Sequence, residues 1–248
     1  MNLWQRVRRR LEAHPVHHLD PRAGYDRWAP QYAAEDNPVL DLESRALQTW
    51  LPEAEGKRVL DAGCGAGRIA RLLAPRRARS VIGVDFSANM LRAARRHLAA
   101  PPGIKFVAAN LLALPFAGES FEMVTAGLVM GHLENLAGAV GELARVSCAG
   151  GTLLISDFHP FGQLLGWNRS FLECHNGKRE EFCIRNYLHL HEDYFRAFKK
   201  NGLRVEDLCE PRLDESVKNF FDRTRKGREV YERFYGFPVV LIFKLTKR

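Results

Sequence analysis

The residues best suited to chemistry lie in a glycine-rich turn that follows an apolar run. Val59-Leu60 leads to Asp61, and Gly63, Gly65 and Gly67 then alternate with other residues. Glycines at such a position allow a tight turn, and they leave bare backbone N–H groups against which a ligand can lie. Because a merely close-packed turn has the same glycines, the motif becomes informative only together with a second feature.

That second feature is an acid at the end of the next apolar run. Asp85 closes the segment Val81-Ile82-Gly83-Val84-Asp85, about twenty residues beyond the glycines. A carboxylate at this spacing can accept hydrogen bonds from both hydroxyls of a ribose. Alone, Asp85 would equally suit a helix N-cap or an exposed surface acid. Together with the glycine turn it predicts a ligand that contains a nucleoside.

The turn distinguishes between two classes of nucleoside ligand. The dinucleotide pattern G-x-G-x-x-G would place its third glycine at position 68, where this sequence has Arg68. Asp61, just before the turn, would repel a pyrophosphate, but it suits the ammonium group of a methionine tail. The electrostatics therefore favour a sulfonium cofactor with an amino-acid tail. An NAD-dependent oxidoreductase is the weaker alternative.

These residues need a framework that brings strand ends together. Residues 57–157 alternate short apolar runs with segments of helical period, as in a parallel sheet covered by helices on both faces. The predicted strands are 58–62, 80–85, 105–108, 121–126, 152–157, 203–208 and 238–245. The predicted helices are 66–73, 88–99, 136–146 and 192–201, with Gly150-Gly151 as a stop before the fifth strand. The sequence thus predicts an α/β, Rossmann-like, doubly wound fold that binds ligands at the carboxyl ends of its strands.

Two segments fall outside this alternation. We interpret residues 1–50 as an N-terminal helical lid on the main domain, residues 51–248, with a helix at 40–50. An earlier helix is predicted from an apolar stripe at Leu3, Trp4, Val7 and Leu11. Residues 158–190 form an insertion after the fifth strand, far longer than the usual connection of about 2–6 residues. Its length and its many aromatic residues predict that it forms the pocket for a second ligand.

The composition is that of a folded protein with a basic surface. The chain has 248 residues, a net charge of +8, an apolar fraction of 46% and five cysteines. Its first residues are too charged for a signal peptide, and no apolar run reaches the ~20 residues that cross a bilayer. We expect a soluble, cytoplasmic protein with reduced cysteines. The basic charge is compatible with an acidic partner without identifying one.

Three motifs carry a resemblance to a known family. They are Leu60-Asp61-Ala62-Gly63-Cys64-Gly65-Ala66-Gly67, Val84-Asp85-Phe86-Ser87-Ala88-Asn89-Met90-Leu91 and Leu114-Pro115-Phe116. In these motifs the sequence resembles the class I S-adenosylmethionine-dependent methyltransferases. Within that family it is similar to the type 11 group, which contains the quinone-biosynthesis and malonyl-carrier-protein methyltransferases. The resemblance covers residues 22–157.

The resemblance implies S-adenosylmethionine as the cofactor and S-adenosylhomocysteine as the product. It implies that Met90 packs on the adenine, and that Asn110, which replaces the family's aspartate, accepts a hydrogen bond from the adenine amino group. Tyr25 and Tyr32 would close over the methionine end. It further implies a seven-stranded sheet whose last strand is antiparallel. The expected cofactor-binding residues are Tyr25, Tyr32, Asp61, Gly63, Cys64, Gly65, Gly67, Asp85, Phe86, Met90, Asn110, Leu111 and Leu128.

The methyl acceptor is less well defined by the sequence. Methyl transfer is an in-line displacement, so most of the catalysis can come from holding the acceptor atom near the methyl carbon. A base that removes a proton is needed only for some acceptors. His132, after the fourth strand, and His159, after the fifth, are the catalytic candidates, although each could equally have a structural role. The expected substrate-binding residues, all in the insertion, are Trp167, Arg169, Phe171 and Tyr187. The histidines do not show metal-ligand spacing, and no metal is expected.

Several functions remain open at this point. We favour a small acceptor that is partly aromatic or bears a carboxylate. An acidic carrier protein and RNA are alternatives, but the chain lacks the motif of amino-group nucleic-acid methylases and any recognisable RNA-binding module. A regulatory protein that binds S-adenosylmethionine without turnover is a further alternative. The sequence does not identify the atom methylated or the oligomeric state.

Overall fold

The computed structural model describes residues 15–32, 34, 37–98, 103–165, 167–175, 178–222 and 224–248. The stripe from Leu3 to Leu11 therefore lies outside the described residues. The described strands are β1 (Val16–Leu19), β2 (Arg58–Ala62), β3 (Ser80–Asp85), β4 (Ile104–Ala108), β5 (Phe121–Gly127), β6 (Ser147–Phe158), β7 (Ser170–His175), β8 (Lys178–Ile184), β9 (Leu203–Cys209) and β10 (Val240–Lys247). The described α-helices are α1 (Pro21–Tyr32), α2 (Pro38–Leu47), α3 (Arg68–Leu73), α4 (Ala88–Leu98), α5 (Leu136–Val146), α6 (Pro160–Leu164), α7 (His191–Lys200) and α8 (Arg225–Phe234). Short 3-10 turns lie at Leu51–Ala54, Ala74–Arg76, Met130–His132 and Glu215–Phe220.

Within the described chain, the larger sheet has seven strands in the order β4-β3-β2-β5-β6-β10-β9. Strands β2 to β6 pair in parallel. β10 runs antiparallel to both of its neighbours, β6 and β9. The chain leaves β2 towards β3 and β4 on one side and returns to β5 on the other, so the direction of winding reverses between β2 and β5. This confirms the predicted doubly wound fold with an antiparallel last strand, and ligands are expected beside that reversal.

Successive residues of the central strands pack into different cores, one on each face of the sheet. Leu60 of β2 and Val124 of β5 belong to the core that includes residues of α5 and α7. Val59 and Met123, their neighbours in sequence, belong to the core that includes residues of α2, α3 and α8. Because side chains alternate across a strand, a strand covered on both faces has apolar residues at successive positions. This explains the continuous apolar runs in the sequence.

A second, three-stranded sheet joins the two segments that lie outside the alternation. Its order is β1-β8-β7, with β1 parallel to β8 and β8 antiparallel to β7. The segment interpreted as a helical lid thus contains a strand at Val16–Leu19, which was not predicted and which pairs with the insertion from Glu181 to Ile184. A strand of four residues is not stable alone, and its partner lies far away in the sequence. This pairing could therefore not be predicted from local sequence.

Several element ends differ from the predicted ones for local reasons. The helix expected at 40–50 begins at Pro38, because Asn37 Oδ1 accepts a hydrogen bond from Val39 N at 2.9 Å and caps it. The helix expected from residue 66 begins at Arg68, after Gly67 with φ 81°. Gly150 and Gly151 lie inside β6 rather than before it. Among the described helices none is both long and apolar enough to traverse a bilayer.

Candidate active site

A cavity of about 410 Å³ opens at the carboxyl edge of the large sheet, beside β2, β3 and β5. Its volume lies in the range of small-molecule sites. All of the predicted cofactor-binding residues line it except Gly67. The predicted residues His132 and Arg169 line the same cavity, as does Phe158, the first aromatic residue of the insertion. Other residues that line it were not predicted: Asp20, Arg22, Trp28, Asn37, Leu40, Arg68, Val129 and Leu133.

The three glycines of the turn have different structural roles. Gly65, with φ 52°, has nothing within 4 Å of the place where a Cβ would stand, so its missing side chain leaves room in the cavity. A Cβ on Gly67 would stand 2.7 Å from Leu98 Cδ1, and one on Gly63 would stand 2.6 Å from Val129 Cγ2. Gly67 is therefore required by its left-handed backbone and by packing against α4, which is why it does not line the cavity.

Asp85 is held at the end of β3 by two backbone groups. Its Oδ2 accepts a hydrogen bond from Gly65 N at 2.9 Å, and its Oδ1 accepts one from Ser87 N at 2.8 Å. The side chain is nearly buried, and this burial raises the pKa of Asp85 to about 6, against the two backbone bonds that lower it. The carboxylate thus joins the glycine turn to the end of β3 and retains further lone pairs for a ligand.

Asp61 is the more deeply buried acid of the pair. Thr125 Oγ1 donates to Asp61 Oδ1 at 2.9 Å, and Ala70 N lies 3.2 Å from Oδ2. Burial raises the pKa of Asp61 to about 6, although these hydrogen bonds and the charge of Arg68 lower it. Sequence reasoning did not identify Thr125, whose only signal was a polar residue within an apolar strand.

Ser87 and Asn110 form the hydrogen bonds at the end of the cavity where the adenine is expected. Ser87 Oγ accepts a hydrogen bond from Met90 N at 3.1 Å and donates one to Asp26 Oδ1 at 2.6 Å, which ties α1 to the start of α4. Asn110 Oδ1 accepts from Leu112 N at 2.9 Å. The amide oxygen of Asn110 is thus already used within its own loop, and an adenine amino group would have to share it.

His132 has a defined tautomer. Its Nδ1 lies 3.0 Å from the carbonyl oxygen of Arg185. Because a carbonyl oxygen only accepts, Nδ1 carries the proton and Nε2 presents a lone pair. That lone pair faces two donors, Tyr25 Oη at 2.8 Å and Arg169 Nη1 at 2.9 Å. Burial, and then the charge of Arg169, hold the pKa of His132 well below its ordinary value, so the ring is neutral near pH 7.

The guanidinium of Arg169 is already engaged by other protein groups. Nη2 donates to Asp157 Oδ1 at 2.8 Å, and Nη1 donates to Asn186 Oδ1 at 2.9 Å. Tyr194 Oη donates to Asp157 Oδ2 at 2.7 Å, so the carboxylate is bound on both oxygens. These contacts occupy guanidinium N–H groups of Arg169 that were expected to bind the substrate. They make it part of a buried network around His132, in which Asp157, Asn186 and Tyr194 were not predicted.

A second buried network comes from α2. Glu43, which is completely buried, pairs with Arg68 and accepts a hydrogen bond from Ser156 Oγ. Arg68 Nη1 also donates to Ser44 Oγ at 2.7 Å. The pair holds α2 against the start of α3 and the end of β6, beside the cavity. Sequence reasoning missed it because an acid in a short amphipathic helix ordinarily points to solvent.

The structure does not bring four predicted residues to the cavity. His159 lies beyond β6, where its Nε2 is 3.1 Å from Glu210 Oε1. The rings of Trp167 and Phe234 are 5.2 Å apart in a core cluster, and Phe171 stacks on Trp28 at 5.0 Å. Tyr187 is only part-buried, and its backbone N donates to Gly131 O. Trp167 of the insertion thus packs in a core of the main domain, and Phe171 supports the wall residue Trp28 from behind.

Comparison with known proteins agrees with this geometry. Residues 60–155 match the sequence model of a family described as "Methyltransferase domain". The chain is 37% identical over 114 residues to a 2-phytyl-1,4-naphtoquinone methyltransferase of Thermosynechococcus vestitus, which is 45% of this chain and 51% of that protein. It is 37% identical over 139 residues to a malonyl-[acyl-carrier protein] O-methyltransferase of Enterobacter lignolyticus, covering 56% and 53%. The chain thus spans about half the length of these curated relatives.

A solved structure shows the same fold over more of the chain. An S-adenosylmethionine-dependent methyltransferase from Mesorhizobium loti superposes with a TM-score of 0.62 and 24% identity, over 84% of this chain and 100% of that one. The family match begins within β2 and ends within β6, and it includes the glycine turn, Asp85 and His132. Residues 60–155 therefore match the methyltransferase-domain family, and the chain has the fold of the S-adenosylmethionine-dependent methyltransferase from Mesorhizobium loti.

Proposed function

We propose that the protein transfers the methyl group of S-adenosylmethionine to a small acceptor. One observation carries the proposal: the residues suited to the methyl donor and the Nε2 lone pair of His132 lie on one cavity. Methyl transfer needs the acceptor atom in line with the sulfur–methyl bond, in a site that excludes water. A shared cavity supplies that arrangement, whereas a protein that only binds the donor has no need of a positioned lone pair.

The donor would lie along the carboxyl ends of β2 and β3. Asp85 would accept hydrogen bonds from the ribose hydroxyls with the lone pairs left by Gly65 and Ser87. Met90 and Phe86, both on the cavity wall, would pack on the adenine. Asp61 would attract the ammonium of the methionine tail. Tyr25 and Tyr32, from α1, would close over that end.

The acceptor would occupy the part of the cavity near Tyr25, His132 and Phe158. An acceptor hydroxyl would replace Tyr25 as the donor to His132 Nε2. S-adenosylmethionine would supply the methyl group and leave as S-adenosylhomocysteine, while His132 Nε2 would accept the proton of the acceptor hydroxyl. Because burial and Arg169 disfavour the protonated ring, His132 then returns the proton to solvent. The aromatic wall favours an acceptor that is partly aromatic.

A carrier-protein acceptor is the second candidate. It is supported by the similarity to a malonyl-[acyl-carrier protein] O-methyltransferase and by the net charge of +8, which suits an acidic partner. Recognition of an acidic protein would weaken strongly as salt is raised, whereas a small acceptor in an enclosed cavity would be much less sensitive.

The proposal is tested by product formation. The purified protein is incubated with S-adenosylmethionine and a panel of phenols, quinols, aromatic carboxylates and malonylated carrier protein, and S-adenosylhomocysteine is measured. We expect product with at least one acceptor and its loss in His132→Gln. A donor that binds without turnover across the panel would support a regulatory role instead. Thermal stabilisation by NADH alone would support an oxidoreductase.

A further inference from the structure

Two histidines and a glutamate meet at the carboxyl edge of the large sheet, away from the cavity. His159 follows β6, Glu210 follows β9, and His191 is the first residue of α7. The Nε2 atoms of His159 and His191 lie 3.1 Å and 3.0 Å from the same oxygen, Oε1 of Glu210. The three side chains can offer one ligand atom each, with all three atoms within 4.8 Å of one another. None of the three lines the cavity.

This set of donor atoms has a known chemical preference. Two imidazole nitrogens and one carboxylate oxygen suit zinc and its divalent transition-metal neighbours, whereas magnesium and calcium prefer oxygen ligands. In a tetrahedral site with bonds of about 2.0–2.1 Å, adjacent ligand atoms lie about 3.3 Å apart. The observed N–O separations of 3.0 and 3.1 Å need to open by only a few tenths of an ångström, and the two imidazole nitrogens, at most 4.8 Å apart, need to approach each other by up to about 1.5 Å.

The burial of the three side chains also fits such a site. The His159 side chain is 2% exposed, while those of His191 and Glu210 are each 36% exposed. One ligand is therefore anchored in the protein interior, and the other two border solvent. A metal ion held by them would keep a coordination position open to water, as in sites with three protein ligands.

We propose that His159, His191 and Glu210 bind one divalent transition-metal ion of the zinc type, with water as a fourth ligand. Each ring would bind through Nε2 as neutral imidazole, with its proton on Nδ1. Nδ1 of His159 accepts a long hydrogen bond from Phe161 N at 3.3 Å. Binding would therefore move the proton of that ring from Nε2 to Nδ1 and break this hydrogen bond. A neutral ring would release no proton overall.

The metal would tie three separate elements together. β6 and β9 both run antiparallel to β10, and the ion would join the ends of these two strands to the start of α7. The same helix carries Tyr194, whose hydroxyl binds Asp157 in the network around Arg169. The ion would therefore stabilise the edge of the sheet that supports this network. The proposal does not depend on methyl transfer.

The test uses the full chain without a histidine tag, after treatment with a chelator. Zn²⁺ is titrated by calorimetry, and Co²⁺ is titrated while its visible absorption is recorded. We expect one ion per chain, tetrahedral Co²⁺ bands, a higher Tm with Zn²⁺ and no comparable binding of Mg²⁺. His191→Ala and Glu210→Gln should each weaken Zn²⁺ binding by at least about tenfold.

The matched control is His17→Ala. His17 Nε2 lies 3.2 Å from Glu180 Oε2, so this pair offers one histidine and one carboxylate in a partly exposed position. The control should bind Zn²⁺ like the unaltered protein. The proposal is overturned if no stoichiometric binding occurs, if His191→Ala and Glu210→Gln bind as the unaltered protein does, or if His17→Ala weakens binding equally. Melting curves of all variants establish that each is folded.

Discussion

Arg169 Nη1 and His132 Nε2 lie 2.9 Å apart, and both side chains are buried. Arginine stays charged at every pH at which proteins are folded, so it can only donate. The contact therefore exists only while Nε2 of His132 keeps its lone pair. Arg169, which comes from the insertion, thus stabilises the neutral form of a histidine that follows β5. This relationship links the insertion to the proposed chemistry through Arg169, whereas Trp167, Phe171 and Tyr187 do not line the cavity.

Removal of the Arg169 charge should raise the pKa of His132, because that charge is one of the causes that lower it. Arg169→Met alone leaves Asp157 buried without its partner, which costs about 3–5 kcal/mol of stability. The double variant Arg169→Met, Asp157→Asn avoids that uncompensated charge. An NMR titration of the His132 ring measures the change. An unaltered His132 pKa in the double variant would contradict the assigned relationship.

Replacement of His132 by glutamine should lower kcat for a hydroxyl acceptor by about 10² to 10⁴, the usual contribution of a general base. The affinity for the methyl donor should stay nearly unchanged, because the expected donor contacts come from other residues. Steady-state kinetics and calorimetry with S-adenosylhomocysteine separate the two effects. Equal kcat in the variant would remove His132 from the chemistry.

Alanine at Gly65 and at Gly67 should have different effects. At Gly65 the new methyl group meets nothing within 4 Å in the protein, so it should mainly weaken donor binding, with about 1–2 kcal/mol of backbone strain. At Gly67 the same strain is joined by a contact of 2.7 Å with Leu98. Gly67→Ala should therefore unfold at clearly lower temperature. If both variants lost donor affinity alike at equal stability, the two roles would be wrongly assigned.

The contribution of Asp61 and Asp85 to the stability of the ligand-free protein should fall as the pH rises from about 4 to about 6. The folded-state pKa values of Asp61 and Asp85 are raised to about 6 from 3.8. The folded state then binds protons more tightly than the unfolded chain in this window, and the stabilisation is lost as pH rises through the folded pKa. Denaturant unfolding at several pH values measures the slope, and Asp61→Asn should flatten it. The same slope in Asp61→Asn as in the unaltered protein would contradict the raised pKa of Asp61.

Affinity for the methyl donor should change with pH in the opposite direction. The ammonium of the methionine tail and the ribose hydroxyls need ionised carboxylates, which become populated as pH rises through about 6. For one carboxyl, binding should weaken about tenfold for each pH unit below that value. Calorimetry with S-adenosylhomocysteine at about pH 5 and pH 7.5 checks this. Affinity that is independent of pH would argue against either carboxylate contacting the donor.

The strands of the large sheet could be predicted from sequence because their signals are local. β2 and β3 were expected at the residues where the structure has them, since continuous apolar runs and following glycines or acids mark buried parallel strands. The same locality explains why the cavity residues from Asp61 to Asp85 were identified: they lie within two consecutive strand-to-helix turns.

The rest depended on contacts between distant parts of the chain. β1 pairs with β8 across more than half of the sequence, and neither strand has a pattern that identifies its partner. Arg169 was predicted to bind the substrate because its actual partners could not be recognised in the sequence. Asp157 and the supporting Tyr194 lie on different elements of the fold. The aromatic residues of the insertion were predicted to line a pocket because their packing partners also lie in distant parts of the sequence. Only the folded structure shows that Phe171 packs behind Trp28.

The most direct test of the central claim is calorimetry with S-adenosylhomocysteine on the unaltered protein, Asp85→Ala and the control Asp207→Ala. Asp207 is an exposed acid of β9, far along the sheet from the donor turn. We predict stoichiometric binding that is weakened at least about tenfold in Asp85→Ala, because hydrogen bonds to a charged group are lost, and is unchanged in the control. Absence of binding to the unaltered protein, or equal binding by Asp85→Ala, would contradict the account.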